Sequence, residues 1–398
     1  RYNNIMKYAV FGGTFDPPHT EHLSMMRHLL DCGYDRVIAL ISGNPPHKSC
    51  GTDGEVRLAM LKAAIAGEER IVVDDTELRT QLRYSADILP IIKEKYGDID
   101  YVIGGDSLIN LHKWSRPERV IKICPLTVFI RGDDYNRLID AKRYWEDRGA
   151  KITVMDYTPR DISSTLIRYA AMLGIYRDVP EKVVDYIVCN RLYDKYDAIK
   201  SELRLHVKPA RYEHSLRTCE CAVELNYYCK LNLDYDKVFL AALLHDCGKG
   251  SSQFDILKSM RPLAPDADFE DRQTVEQVVE YDRSLTPSDA VGKPVEHQFA
   301  GAIIAKELFG IEDEQILDAI RYHCTAKPDM SNMEKLIYCA DALESGRDYD
   351  GVEDLRALIK RDFNAGFAAC LDRAYSHVAA KGGKMYYLTE QAQQYYNK

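Results

Sequence analysis

The hydrophobic pattern changes its period once along the chain, and that change divides the molecule in two. From Tyr8 to Met155 short β-branched or apolar runs recur, at Tyr8–Phe11, Val37–Ile41, Ile71–Val73, Tyr101–Ile103, Leu126–Ile130 and Ile152–Met155. Runs of this kind read as strands buried on both faces, and helical patterns such as His22–Leu30 and Val56–Ala66 lie between them. The alternation predicts an α/β domain with a doubly wound parallel sheet, whose ligands sit at the carboxyl ends of the strands. After Val179-Pro180 the β-type runs stop. Apolar spacing at i, i+3, i+4 in Val183–Ile187, Val238–Leu244, Ile303–Leu308 and Ile316–Ile320 then predicts an all-α second domain. A chain of 398 residues is long for one core, so the expected domains are 6–193 and 197–398. The charged stretch Asp194-Lys195-Tyr196-Asp197 lacks an apolar face and marks the junction. Residues 1–5 precede Met6 and are left out of the fold reading; the Pro-rich, acidic segment 258–295 reads as a long connection.

Charge and cysteine usage narrow the function. The net charge of −9 comes wholly from the second half, because residues 1–193 carry 27 basic and 27 acidic side chains. Without a Lys/Arg block the chain is a poor match for a nucleic-acid backbone, although small phosphorylated ligands remain open. The 11 cysteines form no CxxC pair, which suits reduced thiols, and no uncharged apolar run approaches a membrane span. The expectation is a soluble, cytoplasmic enzyme with no nucleic-acid or membrane partner; a homo-oligomer is left open.

The first chemical constellation follows the first strand, in Gly12-Gly13-Thr14-Phe15-Asp16-Pro17-Pro18-His19-Thr20-Glu21-His22. Paired glycines let the backbone approach a ligand, and His19 and His22 at a helix start point the same way beside free amides. A second anion site is read in Ile162-Ser163-Ser164-Thr165-Leu166-Ile167-Arg168, with three hydroxyls at a helix start and an Arg one turn inside. Together with Asn44-Pro45-Pro46-His47-Lys48, Arg57, Glu77-Leu78, Gly104-Gly105-Asp106-Ser107-Leu108 and Trp114, these segments resemble the bacterial nicotinate-nucleotide adenylyltransferase family. The resemblance spans residues 6–193 and implies a Rossmann-like fold. It implies attack by the phosphate of nicotinate mononucleotide on the α-phosphorus of ATP, with Mg²⁺ accompanying the ATP. His19, His22 and Arg168 would be catalytic, with Ser163 and Thr165 holding the outgoing phosphates. Further substrate contacts implied are Gly12, Gly13, Thr14, Phe15, Lys48, Arg57, Gly104, Asp106, Trp114 against the nicotinate ring, Arg131, Ile162 and Ser164. Two departures stand out: Glu21 occupies the glycine position between the histidines, and Arg83-Tyr84-Ser85 replaces the usual Ser-Tyr-Thr. Adenylyl transfer to another phosphorylated acceptor is the rival reading.

The second constellation lies in the helical half. His214 follows Arg211-Tyr212-Glu213, His245-Asp246 closes a helix ahead of Lys249, and His297, His323 and Asp341 follow. Imidazole and carboxylate suit a first-row metal, and an Asp has two oxygens with which to serve two ions. The ordered set resembles the HD-domain phosphohydrolases over residues 197–375, and within them the symmetrical diadenosine tetraphosphate hydrolases. That resemblance implies His214, His245, Asp246, His297, His323 and Asp341 as ligands of two transition-metal ions, iron being the implied metal. It implies metal-assisted attack of water on phosphorus with ADP as product, a catalytic Lys249, and Arg211 contacting phosphate. His206 and His377 fit neither motif. A nucleotidase, another nucleotide phosphohydrolase and a non-catalytic nucleotide sensor are the alternatives.

Overall fold

The structure is a computed structural model that describes residues 6–43, 51–80, 82–130, 135–249, 287, 290 and 294–397. The chain divides between Tyr193 and Asp194 into two compact units. Most of the segment 258–295 lies outside the described residues.

The first unit is a six-stranded, wholly parallel sheet. Its strands are β1 Tyr8–Gly13, β2 Arg36–Ile41, β3 Ile71–Asp74, β4 Ile99–Gly104, β5 Leu126–Phe129 and β6 Ile152–Val154, in spatial order β3-β2-β1-β4-β5-β6. Each expected apolar run forms a strand. Alternate residues serve opposite faces: Val10, Ile38 and Val128 join one core with Leu89, Ile92 and Trp145, while Ala9, Phe11, Val37 and Phe129 join another with Leu23, Met26 and Leu61. Both faces are therefore covered by helices, which is why these strands read as continuous apolar runs. The strand order reverses between β1 and β4, so a crevice opens beyond Gly12-Gly13 and Gly104. Helix α1, Thr20–Asp31, starts at that crevice, and α2, Gly54–Ala64, begins after Asp53, whose side chain accepts from the Glu55 amide.

The second unit is helical, as the loss of β-type runs predicts. Five helices surround one polar centre: Pro209–Tyr228, Tyr235–Leu244, Glu296–Glu307, Glu314–Arg321 and Asn332–Leu343. Their starts are written locally, by Pro209 in a first turn, by the side-chain caps Asp234 and Asp313, and by a capping box between Ser331 and Glu334. Among the described residues no helix is long and apolar enough to cross a membrane.

Candidate functional site

The crevice of the first unit is assembled from segments about 150 residues apart. Arg168 on helix Ser164–Met172 donates through Nη1 to the Asp16 carbonyl at 2.6 Å and through Nη2 to Thr165 Oγ1 at 3.2 Å. Ser164 Oγ donates to the Pro17 carbonyl at 3.1 Å, and Ser163 caps the helix by accepting from the Thr165 amide. The Asp16 carboxylate lies 3.7 Å from Arg168 and accepts from Tyr193 Oη at 2.9 Å. Burial, then that carboxylate, pushes the Tyr193 phenol far above its ordinary range. The two anion-type segments named from sequence thus meet, with helix N-termini converging beside the crevice.

His19 and His22 stack with ring centroids 3.6 Å apart, and the His19 amide donates to His22 Nδ1 at 3.2 Å. His22 also stands edge-on to Phe15 at 5.1 Å, so its ring is held from two sides. Phe15 itself is fully buried, and its ring lies where a Cβ on Gly13 would fall, 2.8 Å away. Its side chain therefore belongs to the core, and Gly13 is small because that ring covers it. Gly12 approaches Tyr101, whose hydroxyl lies 3.2 Å from Ser85 Oγ. At Gly104 a Cβ would meet Asp106 Oδ1 at 2.5 Å, because the carboxylate folds back over the strand end. Trp114 is half-buried and edge-on to Tyr101, leaving part of the indole outside the core. Thr14 contributes its carbonyl to Arg57, and Ile162 sits in the loop before the Ser164 helix.

Arg57, expected at the substrate, has a different place. Its side chain is buried and donates to the carbonyls of Thr52, Thr14, Ser42 and Gly43. A guanidinium engaged in this way shapes the loops after β1 and β2 and offers no free fork to a ligand. Glu77 accepts from the Gly43 amide beside it at 3.2 Å, and burial raises its carboxyl to about 6. Glu21, at the glycine position between the histidines, turns into a protein network. It is buried and accepts from Tyr157 Oη at 2.7 Å and Arg160 Nε at 3.0 Å. Lys48 and Arg131 lie outside the described residues.

In the second unit the ordered histidines and aspartates come together. Asp246 is fully buried, and its two oxygens face different histidine pairs. Oδ2 lies 3.7 Å from His214 Nε2 and 3.5 Å from His245 Nε2, while Oδ1 lies 3.5 Å from His297 Nε2 and 3.3 Å from His323 Nε2. Asp341 Oδ1 completes the first group, 3.0 Å from His214 Nε2 and 3.9 Å from His245 Nε2. Burial alone would raise both carboxyls. When protonated, the facing imidazoles outweigh it, helped at Asp341 by Arg347, and hold both well below the carboxylate range.

Every ring is anchored through its far nitrogen. Nδ1 of His245, His297 and His323 faces the carbonyls of Ala242, Pro294 and Ile320 at 2.6, 2.6 and 2.7 Å, and Nδ1 of His214 faces Glu344 Oε1 at 3.1 Å. Such acceptors place the proton on Nδ1 and leave the Nε2 lone pair pointing inward. Nε2 atoms then face each other at 3.2 Å in both pairs, His214 with His245 and His297 with His323. Opposed lone pairs repel unless a cation lies between them, and the donor set suits a borderline divalent ion. Burial first, then His323 and Lys249, pushes His297 down to about 3, which keeps it neutral and able to ligate. His214, His245 and Asp341, and separately His245, Asp246 and His323, are each close enough to hold one ion.

Cations border the group. Arg211 Nη1 reaches Asp246 Oδ2 at 2.6 Å, Lys249 Nζ lies 2.9 Å from Asp246 Oδ1, and Arg347 bonds Asp341. Two buried residues were not expected from sequence. Glu344, one turn after Asp341, accepts from Arg217 Nε at 2.6 Å and from the Gly346 amide while orienting His214. Gln298 ties the His323 turn to its own helix, donating to Thr325 Oγ1 and accepting from the amides of Cys324 and Thr325. The signal for both was adjacency to a ligand, one turn or one residue away, without a motif of its own.

Comparison with known proteins agrees with this division. Residues 10–170 match the cytidylyltransferase-like family model and residues 211–346 the HD domain model. A "probable nicotinate-nucleotide adenylyltransferase" of Clostridium acetobutylicum is 35% identical over 199 residues, 48% of this chain and the whole of that protein. The chain belongs to the nicotinate-nucleotide adenylyltransferase family. Unlike that relative, this family member carries an HD domain in the same chain. A Mycoplasma genitalium "probable nicotinate-nucleotide adenylyltransferase/Ap4A hydrolase" is 26% identical over 347 residues, 86% of this chain and 88% of that one. A crystal structure from Clostridium acetobutylicum, of a "predicted HD superfamily hydrolase involved in NAD metabolism", is 31% identical with a TM-score of 0.39, covering 51% of this chain and 97% of that one.

Proposed function

We propose that the chain is a bifunctional enzyme of nucleotide metabolism. The first unit transfers AMP from ATP to nicotinate mononucleotide, forming nicotinate adenine dinucleotide and pyrophosphate. The second hydrolyses diadenosine tetraphosphate symmetrically to two ADP.

The observation that carries the first half is the junction of the two anion-type segments through Asp16, Pro17, Ser164 and Arg168. An acceptor phosphate oxygen forms a bond to the α-phosphorus of ATP as the α-to-β bridging bond breaks, and pyrophosphate leaves. No side-chain nucleophile is needed, so the protein contributes positioning and charge. The stacked His19 and His22 donate toward the reacting phosphate, while Ser163, Thr165 and Arg168 receive the outgoing phosphates together with Mg²⁺ brought by ATP. The nucleotide lies across the strand ends beyond Gly12, Asp106 contacts it, and the open face of Trp114 takes the nicotinate ring. The test is an acceptor panel with ATP. Nicotinate mononucleotide should exceed nicotinamide mononucleotide and phosphopantetheine in kcat/KM, and a preference for phosphopantetheine would overturn the substrate assignment.

The second half rests on Asp246, whose oxygens face separate histidine pairs. His214, His245, Asp246 and Asp341 would hold one transition-metal ion, and Asp246, His297 and His323 a second, iron being the metal assigned. When bound, such ions supply Lewis acidity for attack of water on phosphorus. The chain's own part is to fix the imidazoles through their Nδ1 anchors and to present Arg211 and Lys249 to the phosphates. Chelation should abolish release of ADP, and reconstitution with ferrous iron should restore it further than zinc does. Full turnover after exhaustive chelation would sink this half.

A further inference from the structure

We propose that Arg160 is the charge partner that allows a carboxylate to stand between the two phosphate-facing histidines, holding Glu21 away from the bound triphosphate and offsetting its charge. The inference rests on the adenylyl-transfer reading of the first unit.

Glu21 occupies the second position of helix α1, in the first turn and beside the stacked His19–His22 pair that the adenylyl-transfer reading places at the phosphates. A carboxylate there is favourable for the helix alone and unfavourable for a phosphate at the same N-terminus. The side chain resolves this by its direction. Glu21 Oε1 accepts from Tyr157 Oη at 2.7 Å, and the Tyr157 ring is wedged against His28 and Phe129 at centroid distances of 4.7 and 5.6 Å. Glu21 Oε2 accepts from Arg160 Nε at 3.0 Å.

Arg160 turns both of its terminal nitrogens to the same corner. Nη1 reaches Asp178 Oδ1 at 3.0 Å and Nη2 reaches Thr20 Oγ1 at 2.9 Å. Asp178 in turn accepts the Thr20 amide through its carbonyl at 2.8 Å. One guanidinium therefore serves two carboxylates and the first residue of α1. It belongs to the loop that leads into Ser163 and Thr165, so the same contact ties the second anion segment to the first. Arg160 keeps 58% of its side chain exposed whereas Glu21 keeps 3%, so removing the Arg leaves a buried charge behind without opening a core.

The experiment is a four-variant comparison in the full chain: the natural protein, Glu21→Gln, Arg160→Ala and the double variant. Steady-state kinetics are read against ATP and against nicotinate mononucleotide, and affinity for a non-hydrolysable ATP analogue is measured in parallel. Arg160→Ala should raise KM for ATP about tenfold, with kcat changed less than about threefold, because the uncompensated carboxylate acts on the bound triphosphate. Adding Glu21→Gln, which keeps an acceptor for Tyr157 but no charge, should recover most of that loss. The Arg160→Ala effect should also shrink as salt rises from about 50 to 300 mM, and Arg160→Lys should show a smaller defect than Arg160→Ala.

An Arg160→Ala KM within twofold of the natural protein would overturn the proposal, as would a double variant no better than the single one. If the natural chain transferred AMP to no acceptor, the adenylyl-transfer reading would fall. The analogue affinities of the four variants would still decide whether Arg160 offsets Glu21.

Discussion

Gly248 offers the sharpest mechanical test of how the metal-type centre is built. It follows His245-Asp246-Cys247 in the turn that ends helix Tyr235–Leu244, and that turn rests directly on the backbone of helix Glu296–Glu307. A Cβ at Gly248 would fall 2.2 Å from the His297 carbonyl oxygen, 2.8 Å from the Gly301 nitrogen and 3.0 Å from the Gly301 Cα. These are backbone atoms of a buried helix and cannot swing aside, so the turn must lift or the helix must slide by about an ångström. Overpacking of this kind costs about 1–3 kcal/mol, and a backbone clash belongs at the upper end. For a unit of this size about 3 kcal/mol lowers a melting transition by roughly 6–12 °C. The displacement also acts on chemistry, since Asp246 lies before Gly248 and His297 beyond the contact. Gly248→Ala should therefore weaken metal retention as well as stability. Scanning calorimetry of the full chain, with metal content measured after dialysis, checks both. A variant that melted within 2 °C of the natural protein and kept its metal would refute the argument from close approach.

Glu344→Gln should lower metal affinity about 10- to 100-fold, because an amide orients His214 less firmly than the buried carboxylate does; chelator competition measures it, and an unchanged affinity would deny Glu344 that role. Glu77 carries a pH signature. Its carboxyl is raised to about 6 in the folded chain from an ordinary value near 4.5, so its protonated form is favoured by folding. The sign follows: its favourable contribution is present below about pH 4.5 and is lost as pH rises through 6. Glu77→Gln should gain up to about 1 kcal/mol over the natural protein at pH 7.5, allowing for partial solvent access, and nothing at pH 4. Thermal melts across pH 4–8 read the difference, and a pH-independent difference would contradict the assignment. Asp16→Asn should raise KM for ATP several-fold, since the neutral side chain removes the charge facing Arg168 and Tyr193; an unchanged KM would separate Asp16 from the anion site.

The architecture was legible because its physics is local. Strands covered on both faces must be apolar throughout, and the six runs from Tyr8 to Met155 stand out for that reason. A helix start was legible where hydroxyls announce it, as at Ser163, which caps the following helix. The metal-type centre was legible as an ordered set of donors, because the order of His214, His245-Asp246 and Asp341 resembles the HD-domain phosphohydrolases, whereas any one histidine alone reads as a core or surface residue. Side-chain direction was not. Glu21 turns into a protein network formed with residues about 140 positions away, and no pattern near Glu21 announces Tyr157 or Arg160. Arg57 reads as a cation available to phosphate, yet four loop carbonyls claim it. The Phe15 ring is spent on packing, because the strained turn after Gly13 places it in the core. Glu344 and Gln298 matter only through the ligand each one holds, a relation fixed by tertiary contacts.

The central claim is that one chain couples an adenylyltransferase with a hydrolase that cuts a dinucleoside polyphosphate at its middle. Anaerobic incubation of the metal-loaded full chain with diadenosine tetraphosphate, with products separated by chromatography and Asp246→Ala as control, tests it most directly. The account predicts ADP as sole product and no release by the control. Production of AMP with ATP, or tight binding without turnover, would contradict it.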